Sequence, residues 1–448
     1  MSDYKSDFKG KRITVMGLGL LGRGVGDVEF LAQLEAKITV TDKKTAEELH
    51  ESVKRLHQFS TVSFHLGDHR TEDFTDTDMV IKAAGVPLNS PEIAAAHAAR
   101  VPVYMSTALF AKYAMDKGAR IVGTTGTRGK TTVAHMIFHT LQKTAPRPGS
   151  GRERQVFLGG NVRGLSTLAM LPEVRKGDIA VLELDSWQLQ GFGELKVSPH
   201  IAVFTNLMPD HLNYYPDMDS YFADKANIFR HQKPDDVLIT GGSIVEKIRE
   251  ARPPLDPIVP EAIPAKWKLR IPGAHNRENA SHAAAALEAL GLRDEEIRDG
   301  LETFEAVEGR LQFVREVEGV KIYNDNNATT PDATIAALQA LGGEIVLITG
   351  GSENGLPLEE LVSTIKHKVS HVILLMHENY KGTERLKVAL DKAGVPCVET
   401  NSLSGALAAA LETSSKGNIL FSPAFASFGM FKNEYDRNDQ FMSLVRNL

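Results

Sequence analysis

Cysteine is nearly absent: Cys397 is the only one in 448 residues, which excludes an internal disulfide and a cysteine-built metal cluster and suits a reducing compartment. Long apolar runs are lacking too. None approaches the roughly 18 residues of a membrane span, and the polar stretch Met1 to Lys11 has no apolar region of the secretion-signal kind. The expectation is a cytoplasmic chain without a membrane partner. Nor is one sign of charge in large excess. Lys+Arg number 51 against 57 Asp+Glu, a net charge of -6, so a dedicated nucleic-acid binder is a poor fit and any anion site has to be local. What remains is globular material, 42% hydrophobic and 24% charged, enough for sizeable cores and, at about 150 residues per domain, for three domains.

Short β-branched runs alternate with helical patterns: Arg12 to Met16, Lys37 to Val40, Met79 to Ile81, Arg120 to Val122, Ile179 to Glu183 and Ile201 to Thr205. The alternation resumes at Glu344 to Ile348, His371 to Leu375 and Asn418 to Phe421. This is the pattern of parallel sheets covered by helices. The expected fold class is α/β, with three consecutive α/β domains over residues 1–117, 118–307 and 308–448. Lys143 to Arg154 and Ala251 to Lys266, rich in Gly, Pro or Ala, read as surface loops.

Two glycine-rich turns carry the chemistry. The strand Arg12 to Met16 runs into Gly17-Leu18-Gly19-Leu20-Leu21-Gly22, then a helix, then a strand ending at Asp42. Small glycines let backbone N–H groups approach a diphosphate at a helix N-terminus, and an acid about twenty residues on suits a ribose hydroxyl. Lys43 and Lys44 add positive charge there. By itself the turn fits any nucleotide diphosphate, NAD included, or a tight turn with no ligand. The second turn, Gly126-Thr127-Arg128-Gly129-Lys130-Thr131-Thr132, lies between the strand Arg120 to Val122 and a helix. Its N–H groups suit triphosphate oxygens, Lys130 the β and γ phosphates, and the Thr131 hydroxyl a magnesium ion. Thr124 stands where the strict motif has glycine. A dehydrogenase needs only the first turn and a simple nucleoside triphosphatase only the second. An enzyme coupling ATP to a nucleotide-linked substrate needs both.

Together with Gly159-Gly160-Asn161, Leu182 to Leu189, Asn206 to His211, Gly273 to Asn279, Asn324-Asp325 and Ser422 to Asn433, these turns resemble the Mur ligase family, the ATP-dependent amide-forming enzymes of peptidoglycan precursor synthesis. The resemblance spans nearly the whole chain. It implies a Rossmann-like domain for the UDP moiety, a central P-loop-type ATPase domain, and a Rossmann-like C-terminal domain that docks the amino acid and closes the site. The implied reaction adds an amino acid, D-glutamate first among them, to UDP-N-acetylmuramoyl-L-alanine through an acyl phosphate, with a monomer as the working unit. The implied cofactors are ATP and two magnesium ions. By resemblance, Glu183 and His211 are magnesium ligands beside Thr131, and Lys225 is a carbamylated lysine that completes the metal set. Thr132 and the rest of the loop, Asn276, Asn279, Arg310 and Asp325 are ATP-binding. Gly17, Leu18, Gly19, Gly22, Asp42, Lys43, Gly85 and Asn161 fall to the UDP-substrate, and Thr329, Ser427 and Glu434 to the amino acid.

The chain departs from the family pattern at named places. Arg128 replaces an asparagine, Asn327 and Asn354 replace lysines, and Glu434 replaces a phenylalanine. Losing two cations weakens the case for a dicarboxylic amino acid and leaves Lys432 and Arg437 as candidates to replace the charge.

Overall fold

The computed structural model describes residues 3–19, 22–144, 154–210, 214–353 and 355–448. His211 and Asn354, and most of the loop expected at Lys143 to Arg154, lie outside the described residues.

Three sheets are present among the described residues, in agreement with the expected α/β class. The first contains β1 (Arg12–Met16), β2 (Lys37–Asp42), β3 (Val62–Leu66), β4 (Met79–Lys82) and β5 (Val103–Tyr104), all parallel, in the order β3-β2-β1-β4-β5. The chain steps outward from β1 on one side and from β4 on the other, so the strand order reverses between them. Ligands of doubly wound sheets bind in the crevice at such a reversal, outside the carboxyl ends of the strands. Gly17 follows β1 there, at φ +87°, and a Cβ on it would press on Ala83, just past β4, at 3.0 Å.

The second sheet is formed by β6 (Arg120–Thr125), β7 (Val156–Gly160), β8 (Ile179–Glu183), β9 (Ile201–Phe204) and β10 (Val237–Thr240), parallel in the order β10-β9-β6-β8-β7. With every residue of β8 and β9 buried, these strands read as continuous apolar runs, as expected when helices cover both faces. The third sheet has β11 (Gln312–Val317), β12 (Val320–Asn324), β13 (Ile345–Thr349), β14 (His371–Leu375), β15 (Cys397–Thr400) and β16 (Gly417–Phe421) in the order β11-β12-β16-β13-β14-β15. Its edge strand β11 is antiparallel to β12.

Tertiary contacts gather the chain into two compact units, one of residues 1–262 with 279–300, the other of 263–278 with 301–448. The first two sheets thus share one unit. The helix Arg23–Gln33, which follows the first glycine turn, buries Val25, Val28 and Leu31 on one face, the spacing of an amphipathic helix. The same helix carries the buried Asp27, whose Oδ1 accepts from Ser166 Oγ at 2.6 Å.

Burial raises the Asp27 carboxyl from 3.8 to about 6, against the smaller opposing effects of hydrogen bonds from Ser166 and Ser106 and the charge of Arg23. A carboxyl whose folded pKa exceeds its unfolded one contributes stability that is present below the unfolded value and lost as pH rises through about 6. Asp27→Asn keeps an acceptor for Ser166 and cannot ionise. The variant is expected to gain stability over wild type as pH climbs from 4 to 7, up to about 3 kcal/mol. Denaturant melts at several pH values check this, and a pH-independent difference would contradict it.

Candidate active site

Adjacent parallel strands bring the central residues together at their carboxyl ends. β6 runs into the second glycine-rich loop, β8 ends on Glu183, and β9 leads into the segment Thr205 to Asp210. Because β6 pairs with both β8 and β9, the loops that follow them are neighbours. Thr127 N–H donates to Asn206 O at 2.9 Å, Arg128 N–H to Asn206 Oδ1 at 2.8 Å, and Met208 N–H to Thr127 Oγ1 at 2.9 Å. The loop is thereby fastened to the chain after β9 before the helix Lys130–Lys143 begins. Gly129, at φ +84°, precedes that helix, and a Cβ on it would lie 2.3 Å from Asn279 Oδ1, so only glycine lets Asn279 pack against the loop. Lys130 Nζ folds back onto Thr127 O at 3.0 Å, which sets its charge over the loop. Arg128, the departure from the family pattern, lies 3.9 Å from Asp210 as an ion pair.

Glu183 is 4% exposed and stands in register with Thr124 of β6 and Gly160 of β7. A carboxylate this buried is costly without a cation or donors to receive it. Asn161, on the turn after β7, donates its N–H to Glu183 O at 2.8 Å, and its side-chain Oδ1 accepts from Arg23 at 2.9 Å. The residue expected at the muramoyl group therefore stands between Glu183 and the helix of the first glycine turn.

Lys225 ends the helix Met218–Lys225 and is 1% exposed. Its Nζ donates to Gly126 O at 2.9 Å and to Thr125 Oγ1 at 3.5 Å, and lies 4.7 Å from the centre of the Tyr221 ring. Burial first, and then the charge of Lys130, push its pKa well below the ordinary lysine value, while Asp185, Asp210 and Asp224 act the other way. This is a buried amine under the triphosphate loop, whereas an ordinary helix lysine is solvated.

At the first turn, Asp42 is 8% exposed. One of its carboxylate oxygens accepts from Leu18 N–H at 2.8 Å and Gly19 N–H at 3.4 Å, and the other from Lys44 N–H at 3.0 Å. The acid holds the turn. Lys43 and Gly85 are exposed.

The remaining expected residues belong to the second unit. Asn276 donates to Pro272 O at 2.7 Å. Asp325, just past β12, accepts from Leu311 N–H and Ser422 Oγ, both at 2.9 Å. Thr329 follows β12 and the buried Ser427 follows β16, and the Glu434 carbonyl accepts from Asn326 Nδ2 at 2.9 Å. Arg310 precedes β11 and is half-buried. One sequence-level candidate is corrected here. Arg437 is fully buried, and its guanidinium donates to Asn326 Oδ1 and Asn326 O at 2.8 Å and to Phe425 O at 3.2 Å. It is not available to replace a missing lysine. Its position one turn into the helix Glu434–Arg446 gave no sign that the loop after β12 would wrap it. Sequence reasoning did not single out Arg23, the residue directly after the last turn glycine, whose guanidinium reaches Asn161.

Comparison with known proteins gives concordant matches. The chain matches the MurD-like N-terminal domain of Mur ligases over residues 11–105, the Mur ligase middle domain over 124–253, and the Mur ligase glutamate ligase domain over 309–425. It is 34% identical to the UDP-N-acetylmuramoylalanine–D-glutamate ligase of Roseiflexus sp. (strain RS-1), covering 97% of this chain and 98% of that protein. The enzyme of the same name from Lacticaseibacillus paracasei is 32% identical over 99% of this chain and 97% of its own. Among solved structures, UDP-N-acetylmuramate-alanine ligase from Thermotoga maritima superposes with a TM-score of 0.60 at 20% identity, covering 98% of this chain and 99% of that one.

Proposed function

The chain belongs to the Mur ligase family, and from that premise we propose that it is the ATP-dependent ligase joining D-glutamate to UDP-N-acetylmuramoyl-L-alanine in peptidoglycan precursor synthesis. One observation carries the reading beyond resemblance: a diphosphate-type turn at the strand reversal of one sheet and a triphosphate loop on the next share one compact unit, bridged by Arg23 and Asn161.

The alanine carboxylate of the UDP-linked substrate attacks the γ-phosphorus of ATP, ADP leaves, and an acyl phosphate forms. Lys130 and the loop N–H groups meet the charge that grows on the transferring phosphoryl oxygens. The amine of D-glutamate then attacks the activated carbonyl, loses a proton, and phosphate departs from the tetrahedral intermediate to leave an amide. Thr131 and the buried Glu183 would hold magnesium through the oxygen donors it prefers. When bound, the ion supplies charge neutralisation at the phosphates. The reading assigns His211 and a carbamate on Lys225 to a second ion. It assigns the amino acid to Thr329, Ser427 and the backbone around Glu434.

The test is phosphate release with ATP, magnesium and UDP-N-acetylmuramoyl-L-alanine against a panel of amino acids, with mass spectrometry of the product. The expected outcome is a D-glutamate adduct formed one for one with phosphate. A preference for a neutral amino acid would overturn the D-glutamate assignment, consistent with asparagine at positions 327 and 354.

A further inference from the structure

A diphosphate leaving water for the crevice beyond β1 needs N–H donors and positive charge there. The turn itself usually provides the donors. In this chain Leu18 N–H and Gly19 N–H, two of the turn's donors, are engaged by Asp42, and that buried carboxylate adds negative charge beside them; Leu20 and Leu21 lie outside the described residues. A cationic side chain at the turn offsets that charge.

Among the described residues, Lys43, Lys44, Lys82 and Arg23 stand at or next in sequence to the carboxyl ends of β2 and β4 or to the turn after β1. Lys43 and Lys44 follow Asp42 at the end of β2, the side of the ribose in the geometry of such folds. Lys82 ends β4, but it is 2% exposed and its ammonium donates to Val86 O at 2.9 Å. Arg23 is different. It is the first residue of the helix Arg23–Gln33, directly after Gly22, and it is half-buried. Its guanidinium donates to Asn161 Oδ1, 138 residues away, at 2.9 Å. Its acidic neighbour one helical turn on, Asp27, is engaged by Ser166 instead. A guanidinium carries five N–H donors in a planar fork that matches phosphate oxygens, and Asn161 takes one of them.

We propose that Arg23 binds the diphosphate of the UDP-substrate, held across the helix N-terminus by Asn161. The Asn161 carbonyl oxygen is taken by Arg23, which leaves its amide N–H₂ as the donor for the same ligand. The pair thus works as one clamp, which ties the nucleotide end of the substrate to the turn beside Glu183. This rests on the reading of the chain as a UDP-substrate ligase.

The experiment is calorimetric titration of UDP and UMP into wild type, Arg23→Met and Arg23→Gln. The second variant keeps a donor for Asn161 and removes only the charge. Wild type is expected to prefer UDP over UMP. Both variants are expected to bind UDP about tenfold or more weakly, the scale of a lost charge-assisted contact, and to lose the preference, while the Michaelis constant for ATP stays unchanged. A purely structural arginine would lower both affinities together and leave the UDP-to-UMP ratio intact, so an unchanged ratio in a folded variant overturns the proposal. Wild type that binds neither nucleotide would overturn the UDP-substrate reading as well, which separates the two failures.

Discussion

Lys130→Ala is expected to reduce turnover at least a hundredfold while UDP-substrate binding survives. The loss follows from where the charge sits. Lys130 opens the helix after the second glycine-rich loop and bends onto Thr127 O; on the proposed reading its ammonium is held at the loop before ATP arrives and needs little reorganisation when charge develops on the γ-phosphate. Removing one such preorganised donor typically costs roughly 3 kcal/mol or more of transition-state stabilisation. Substrate binding survives because the diphosphate turn belongs to the first sheet and Lys130 follows the second. Steady-state rates paired with UDP titration check both halves. Unchanged turnover would remove the ATP-loop assignment, and loss of UDP binding together with a lowered melting temperature would point to misfolding.

Lys225→Ala is expected to have an effect of similar size for a different reason. A buried ammonium that donates to a carbonyl and a hydroxyl under the triphosphate loop does nothing for a magnesium ion, whereas a carbamate at the same position is an anion with two oxygens for it. The variant should be nearly inactive and partly rescued by a short carboxylic acid that fills the space with a carboxylate. Activity measured with and without added formate or acetate decides it. Full activity in Lys225→Ala, or an uncarboxylated Lys225 in a high-resolution map of the active enzyme, would contradict the assignment.

The strands that were legible in the sequence are those with an unbroken apolar signal. β1, β8 and β14 run over the expected residues, because burial on both faces leaves nothing to confuse the pattern. The strands that escaped notice are partly exposed or at an edge. β11 alternates half-buried and exposed positions around Arg315 and Glu316, and β15 has two exposed residues of four. Their partners, and not their composition, make them strands. Near the site, the glycine turns were legible because positive φ and close approach demand glycine at Gly17 and Gly129. What could not be read was the destination of side chains bonded across long sequence separations. Asp42 turns back onto its own loop, Arg23 reaches Asn161, and Arg437 disappears beneath Asn326. Each is decided by tertiary packing, which spacing along the chain does not encode.

Oxygen transfer during a single turnover tests the central claim most directly. With UDP-N-acetylmuramoyl-L-alanine carrying oxygen-18 in its alanine carboxylate, ATP, magnesium and D-glutamate, the carboxylate oxygen that attacks the γ-phosphorus leaves with phosphate when the amine displaces it. The account predicts one labelled oxygen in the released phosphate for every amide formed. Unlabelled phosphate accompanying the same amide would contradict it.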